Sequence, residues 1–321
     1  MSYWQTFFSL EPMDIQKELQ EASGFLNFDL VAKSIVEGFI SGMHKSPFHG
    51  FSAEFAEHKI YNNGESTRHI DWKLFAKTDK LYTKRYDEET NLRCHLIVDN
   101  SSSMHYPKCN QPSINQLNKV SFSALAAAAM MQLLKKQRDA VGLSVYSDAI
   151  DYYAPEKGSE RHHQMLMDQL NTTVSSPQKG VGTKTYEVLH QVAEKIHRRS
   201  LIFLFTDMFQ SDKESEHLFE ALGHLKYNKH ELVLFHVYDK ATEYNFEFEN
   251  TPKRFVDVET AEAVDLYPES LQANYESAVA DYFKNLRLKC GQYKINYVGV
   301  DIQEGFNKIL TTYMVERQKF I

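Results

Sequence analysis

Arg93-Cys94-His95-Leu96-Ile97-Val98-Asp99-Asn100-Ser101-Ser102-Ser103-Met104 is a short apolar run that stops at a carboxylate and continues into three hydroxyls. His95 to Asp99 reads as a strand buried on both faces. Beyond it, short apolar runs and helically spaced segments alternate. Asn118 to Lys136 reads as an Ala-rich helix ending in cations, and Val141 to Ser147 as a strand with Asp148 to Tyr153 as its hairpin partner. Helices are expected at Glu160 to Leu170, Thr185 to Arg199 and Glu214 to Lys226, and strands at Leu201 to Phe205 and Leu232 to Tyr238. Such alternation predicts an α/β fold, a doubly wound, mostly parallel sheet flanked by helices.

On either side of this region the pattern changes. Tyr244 to Asn250, leading to Phe255 to Glu259, reads as an inserted antiparallel ribbon. A long helix through Leu271, Tyr275, Val279, Phe283 and Leu286 follows, then a strand at Ile295 to Val300 and a helix at Glu304 to Arg317. Ahead of it, a helix is expected at Asp29 to Ile40, whereas residues 43–92 read as an irregular, partly β segment packed on the α/β core. The expected division is therefore 1–92, a helix and irregular segment, and 93–321, the α/β domain with a C-terminal elaboration. Arg68 or Asp71 is expected in an ion pair and Trp72 packed against the sheet.

The chain has 321 residues, 42% of them hydrophobic, and a net charge of −7. That composition predicts a globular protein and gives no general attraction for nucleic acid or anionic lipid. No secretory signal or membrane-spanning stretch is evident, and Cys94, Cys109 and Cys290 form neither a CxxC pair nor a disulfide framework. A cytoplasmic location is the simplest expectation.

Three features converge where strands end. Asp99-x-Ser101-x-Ser103 follows the first buried strand, Thr206-Asp207 ends Leu201-Ile202-Phe203-Leu204-Phe205, and Gly180-Val181-Gly182-Thr183-Lys184-Thr185 opens a helix between them. In open parallel sheets ligands gather at the carboxyl ends of strands. Two carboxylates and three hydroxyls make an all-oxygen set suited to a hard cation that keeps its waters, Mg²⁺ or Mn²⁺, rather than Zn²⁺.

These residues resemble the metal-ion-dependent adhesion site of von Willebrand factor type A domains, whose sheet is of the doubly wound, Rossmann type. The resemblance implies that Asp99, Ser101, Ser103, Thr183 and Asp207 hold a divalent cation, with Thr185 the alternative to Thr183. It also implies that a partner's Asp or Glu completes the shell. Upstream, Gly50-Phe51-Ser52-Ala53-Glu54-Phe55, Tyr61-Asn62-Asn63-Gly64-Glu65-Ser66-Thr67-Arg68-His69-Ile70-Asp71-Trp72 and Ala76-Lys77-Thr78 resemble the bacterial family called domain of unknown function 58. Phe255 to Thr260 and Val315-Glu316-Arg317 fit it too. Lys77 stands where that family favours Arg, which puts a bidentate role there in doubt. Membership implies a cytoplasmic adaptor working with a MoxR-type AAA+ ATPase in complex maturation.

Other chemistries find less support. The 14 histidines show no HExxH or Cys/His ligand spacing. Pro177 stands where a P-loop needs its first glycine, and no GxSxG elbow surrounds a serine. The capping of a helix by Ser101 is the plain alternative to metal ligation. The expected function is a non-enzymatic, cation-dependent protein-binding module. A Mg²⁺-dependent hydrolase using the same site, or a scaffold in which the site is vestigial, are the alternatives.

Overall fold

The run from Arg93 to Asp99 forms the strand around which the fold is wound. The structure, a computed structural model, describes residues 28–42, 55–60, 70–86, 92–109, 116–175, 185–208, 212–256 and 263–319. In chain order it has α1 (Phe28–Gly42), β1 (Phe55–Ile60), α2 (Trp72–Thr78), β2 (Tyr82–Tyr86) and β3 (Arg93–Asp99). A 3-10 turn (Ser102–His105), α3 (Lys119–Lys136), β4 (Ala140–Tyr146), β5 (Ile150–Lys157), α4 (Glu160–Ser175) and α5 (Thr185–Lys195) follow. Then come β6 (Leu201–Thr206), α6 (Asp212–Tyr227), β7 (Glu231–Tyr238) and a π-helical turn (Lys240–Tyr244). The chain continues through β8 (Lys253–Val256), β9 (Ala263–Leu266), α7 (Pro268–Gln292), β10 (Asn296–Asp301) and α8 (Asn307–Gln318).

Six strands form one sheet in the order β10-β7-β6-β3-β4-β5. All its pairings are parallel except β4 with β5. This is the mostly parallel, helix-flanked sheet that the alternating pattern predicts. From β3 the chain steps outward to β4 on one side, then returns to β6 on the other. The winding direction therefore reverses between β3 and β6, and their carboxyl ends flank the crevice such a reversal leaves.

Strand periodicity sorts the core into two faces. Ile97, Ile202, Leu204, Leu232 and Leu234 pack with Val188, Leu189 and Val192 of α5 and Leu218, Leu222 and Leu225 of α6. On alternate positions, Phe203 and Phe205 stack on Phe235 at ring separations of 5.7 and 4.9 Å, and Phe203 meets Tyr313 of α8 at 6.0 Å. Helix α3 is buried nearly all round, as a helix enclosed by protein must be. Asn118 caps it reciprocally with Ser121, so the sharp start of this helix is written in its first residues. Helix α1 buries Phe28, Val31, Ala32, Val36 and Phe39, and its Asp29 accepts a bond from Gln132 of α3 at 2.6 Å.

The described residues divide into two units, one running to Phe39 and again from Leu92 onward, the other spanning Ile40 to Asn91. In the second unit, β1 and β2 pair antiparallel through a register shift between Phe55 and Glu57. Asp71 caps α2, accepting the N–H groups of Lys73 and Leu74 at 3.0 and 3.1 Å. Trp72 is 61% exposed, its ring edge-on to Phe75 at 6.2 Å. Arg68 lies outside the described residues.

The ribbon expected at Tyr244 to Asn250 also needs correction. Those residues close the π-helical turn and continue as irregular chain, while the antiparallel pair is β8 with β9. Phe246 has a φ of 52°, which no strand tolerates. Its ring packs on Tyr275 of α7 at 4.5 Å and Phe255 at 5.4 Å, so the aromatic alternation marks a cluster under α7. Among the described residues no helix is long and apolar enough to cross a membrane.

Candidate metal centre at the carboxyl edge of the sheet

Asp99 is the last residue of β3 and 2% exposed. One carboxylate oxygen, Oδ1, accepts the Ser101 N–H at 2.9 Å, which bends the chain back over the strand end. The other, Oδ2, accepts the Thr206 hydroxyl at 2.7 Å and the Tyr146 phenol at 3.1 Å. Three neighbouring strands thus meet at this carboxylate through their last residues. Thr185, the first residue of α5, hydrogen-bonds Tyr146 in turn. With its acceptors engaged by the chain's own donors, Asp99 orients hydroxyls.

Ser101, which is buried, and Ser103, which is half-buried, lie in the turn that follows. Ser101 occupies the N-cap position of the 3-10 turn, yet its side chain makes no capping bond. Its Oγ lies 3.2 Å from Ser103 Oγ. An octahedral Mg²⁺ shell with oxygens at about 2.0–2.1 Å sets neighbouring ligands about 2.9 Å apart. The serine pair is thus spaced within a few tenths of an ångström of two adjacent ligand positions. The donor set fits a hard cation. Among the described residues, no three His, Cys, Asp or Glu side chains are grouped to hold a metal, so any ion here depends on the hydroxyls.

Asp207 follows β6 and lies close enough to disfavour the charged form of Asp99. Burial first, and Asp207 second, push the Asp99 carboxyl up to about 6 against the opposing bonds from Thr206 and Ser101. Asp207 itself is bound by a cation the chain supplies. Lys119 Nζ lies 2.9 Å from Asp207 Oδ2 and 2.5 Å from Glu243 Oε1, with the ammonium group buried. Burial alone would lower the Lys119 pKa, but Asp207 and Glu243 outweigh it and hold it above its ordinary value. Glu243 is displaced upward by burial, with Lys119 opposing. Lys119 draws on two carboxylates, which favour its charged form, and it favours the charged form of Glu243 in return.

Glu243 belongs to the π-helical turn, and its second oxygen accepts the Asp239 N–H at 2.7 Å. Burial keeps His236, also near Asp207, neutral down to about 3, and its Nδ1 pairs with the Tyr297 hydroxyl at 2.7 Å. His105 pairs through Nε2 with Asn100 Oδ1 at 3.1 Å.

Of the residues expected at the site, the structure brings Asp99, Ser101, Ser103 and Asp207 together and ties Thr185 to them through Tyr146. Thr183 lies outside the described residues. Sequence reasoning missed Lys119, Glu243 and Tyr146, and assigned no role to Thr206. Lys119 left one trace, a cation in the first turn of a helix whose other cations lie in its last turn.

One Ser-His-carboxylate chain exists elsewhere. His95 Nε2 pairs with Ser144 Oγ at 2.7 Å and Nδ1 with Glu156 Oε1 at 2.6 Å. His95 and Ser144 are fully enclosed within the sheet, where no substrate reaches them. Its role is structural.

Residues 57–284 match the model of the family described as protein of unknown function DUF58. Uncharacterized proteins of Mycobacterium bovis and Mycobacterium tuberculosis are 25% identical over 187 residues, 58% of this chain. The aligned part is 56% of their length, so the chain spans about half of these curated relatives. Among solved structures, a conserved hypothetical protein BatB from Bacteroides thetaiotaomicron is similar at a TM-score of 0.40 and 14% identity, covering 70% of this chain and 99% of that one. An aerotolerance-related membrane protein from Bacteroides fragilis gives 0.39 and 11% over 70% and 99%.

Proposed function

The chain belongs to the DUF58 family, and from that premise we propose that it is a divalent-cation-dependent protein-interaction module. In this reading the carboxyl edge of β3 and β6 is an adhesion site of the von Willebrand A type. Ser101 and Ser103, with Thr183 or Thr185, hold Mg²⁺ or Mn²⁺; Asp99 and Asp207 support them, and an Asp or Glu of a protein partner completes the shell. A bound ion would supply a positive charge for that partner carboxylate.

The observation that carries the reading is the serine pair. Its two hydroxyls lie 3.2 Å apart and that of Ser101 makes no capping bond, with Asp99 fixed behind them at the switch point. Binding is favoured over hydrolysis because the imidazoles nearby are committed elsewhere: His236 is buried and neutral, and His105 is turned to Asn100. The resemblance stated above adds a MoxR-type AAA+ ATPase system as the partner. Cys94, Cys109 and Cys290 form no disulfide with one another, which suits its reducing cytoplasm.

The test is retention of a MoxR-type ATPase on the immobilised full chain with Mg²⁺ and with EDTA, alongside Ser101→Ala/Ser103→Ala. Retention in Mg²⁺ that is lost in EDTA and in the variant is the expected result. Retention unchanged in EDTA and in the variant overturns the cation bridge.

A further inference from the structure

Lys119 has no part in the adhesion-type reading, yet it is the chain's own cation at the site. It starts α3, where Asn118 caps the helix and the Lys119 N–H donates to Tyr106 O at 3.0 Å, so its Cα is fixed. Its side chain is 1% exposed, and the ammonium spans Asp207 and Glu243 while lying 6.0 Å from the Tyr106 ring centroid. Glu243 is held independently, by the Asp239 N–H on its other oxygen. The ammonium thus has a permanent anchor in Glu243 and a second partner, Asp207, which is also a candidate support for the metal.

We propose that Lys119 is a resident counter-cation that withholds Asp207 from the metal and thereby couples cation binding to the arrival of an acidic partner. The inference rests on the adhesion-site reading and assigns the regulation of that site. With Asp207 paired to Lys119, the hydroxyls of Ser101 and Ser103 offer a divalent ion neutral ligands, and the missing anionic ligand must come from outside. Charge leads to the same conclusion. Asp99, Asp207 and Glu243 against Lys119 leave the ionised cluster at a net −2, which one divalent ion brings to zero, so an incoming carboxylate meets no net repulsion. Without Lys119, the ion would be held more tightly and the loaded site would remain negative. Lys119 therefore lowers affinity for the ion alone and favours the ternary complex, a coupling of two ligands through one side chain.

The test is Mn²⁺ titration of the full chain by calorimetry and by electron paramagnetic resonance. Lys119→Met removes the ammonium, and Lys119→Met/Glu243→Gln removes one positive and one negative charge, which leaves the net charge unchanged. Both are expected to bind Mn²⁺ at least about tenfold more tightly than the wild type, because both release Asp207 from its ammonium partner to the ion, and the single variant also deletes a buried positive charge near a divalent ion. The wild-type chain needs no variant to fold for the second arm: adding acetate, a carboxylate probe, is expected to raise its affinity for Mn²⁺. Suppose the wild type binds Mn²⁺, Ser101→Ala/Ser103→Ala abolishes this, and the double Lys119 variant binds no more tightly. The role of Lys119 is then overturned while the metal site stands. A wild-type affinity indifferent to acetate also overturns the coupling. No Mn²⁺ bound by any form, Lys119→Met included, removes both the site and this inference.

Discussion

Asp99→Asn is expected to make the metal-free protein more stable, although it removes a carboxylate at the centre of a hydrogen-bond network. The fold raises the Asp99 carboxyl from 3.8 to about 6, with burial the main cause and Asp207 the next. A pKa unit corresponds to about 1.4 kcal/mol, so the ionised carboxylate costs the fold about 3 kcal/mol when fully charged. Because the folded pKa lies above the unfolded one, the cost is complete above pH 6 and fades as pH falls toward 3.8. An asparagine keeps an oxygen for the Ser101 N–H and turns its amide toward Thr206 and Tyr146, whose hydroxyls accept as readily as they donate. Allowing about 1 kcal/mol for weaker neutral bonds, the variant gains about 2 kcal/mol at pH 8 in EDTA. At pH 4.5 the cost to the wild type has shrunk to about 1 kcal/mol, so the gain falls to near zero. Urea unfolding at the two pH values measures both numbers. Added Mg²⁺ is expected to stabilise the wild type and leave the variant unmoved. A variant less stable than wild type at pH 8 in EDTA, or a difference that ignores pH, would refute the argument that Asp99 is held charged at a cost for the sake of a ligand.

Two further substitutions probe the scaffold. At Gly142 in β4 an added Cβ would lie 2.5 Å from His95 Nδ1 and 2.9 Å from the Ala154 carbonyl. Gly142→Ala should lose about 2–3 kcal/mol in urea unfolding. Since Ala154 O is backbone, adding His95→Ala should not restore the loss, and an unchanged midpoint in Gly142→Ala would contradict this packing. Arg317 of α8 binds buried Asp139 through Nε at 2.7 Å and Nη2 at 3.3 Å. Arg317→Ala leaves that buried carboxylate the Leu92 N–H but no guanidinium, and should cost about 3–5 kcal/mol. Arg317→Lys should recover part of this, because one ammonium cannot reproduce the guanidinium fork; full recovery would contradict the two-point contact.

What the sequence reveals and what it conceals follow from the range of the forces involved. The strands at Arg93–Asp99 and Leu201–Thr206 are legible because unbroken apolar runs have few other uses, and the start of α3 because Asn118 and Ser121 satisfy each other three residues apart. The convergence of Asp99 with Asp207 is legible because topology alone brings those strand ends together. The Lys119–Asp207–Glu243 cluster is not, since its members are 88 and 124 residues apart and no local pattern encodes which acid a buried lysine will reach. Glu243 was hidden further by the alternation of Tyr244, Phe246 and Phe248, which imitates a strand. That alternation arises because the rings pack on one another and on α7, with Tyr244 stacked on Phe283 at 5.2 Å.

Among the described residues the same local pattern, a parallel strand that ends in or is followed by aspartate, occurs four times, at Asp99, Asp207, Asp239 and Asp301. Its outcomes differ. Asp301 accepts the N–H groups of Gln303 at 3.1 Å and Lys240 at 3.3 Å, and Asp239 accepts the Thr242 hydroxyl at 2.7 Å, so both brace turns on adjacent strands. There the chain winds steadily in one direction from β6 through β7 to β10. Asp99 and Asp207 instead flank the reversal between β3 and β6, where connections depart to opposite sides and two buried carboxylates come close to each other. A buried carboxylate pair must be neutralised, and the chain answers with hydroxyls on one member and Lys119 on the other. In the proposed reading the hydroxyl side is what an external cation uses, and the ammonium side limits how tightly it is held. On that proposal, an aspartate at a strand end joins a binding site when the topology leaves a second carboxylate close to it, and braces a turn when the backbone reaches it first.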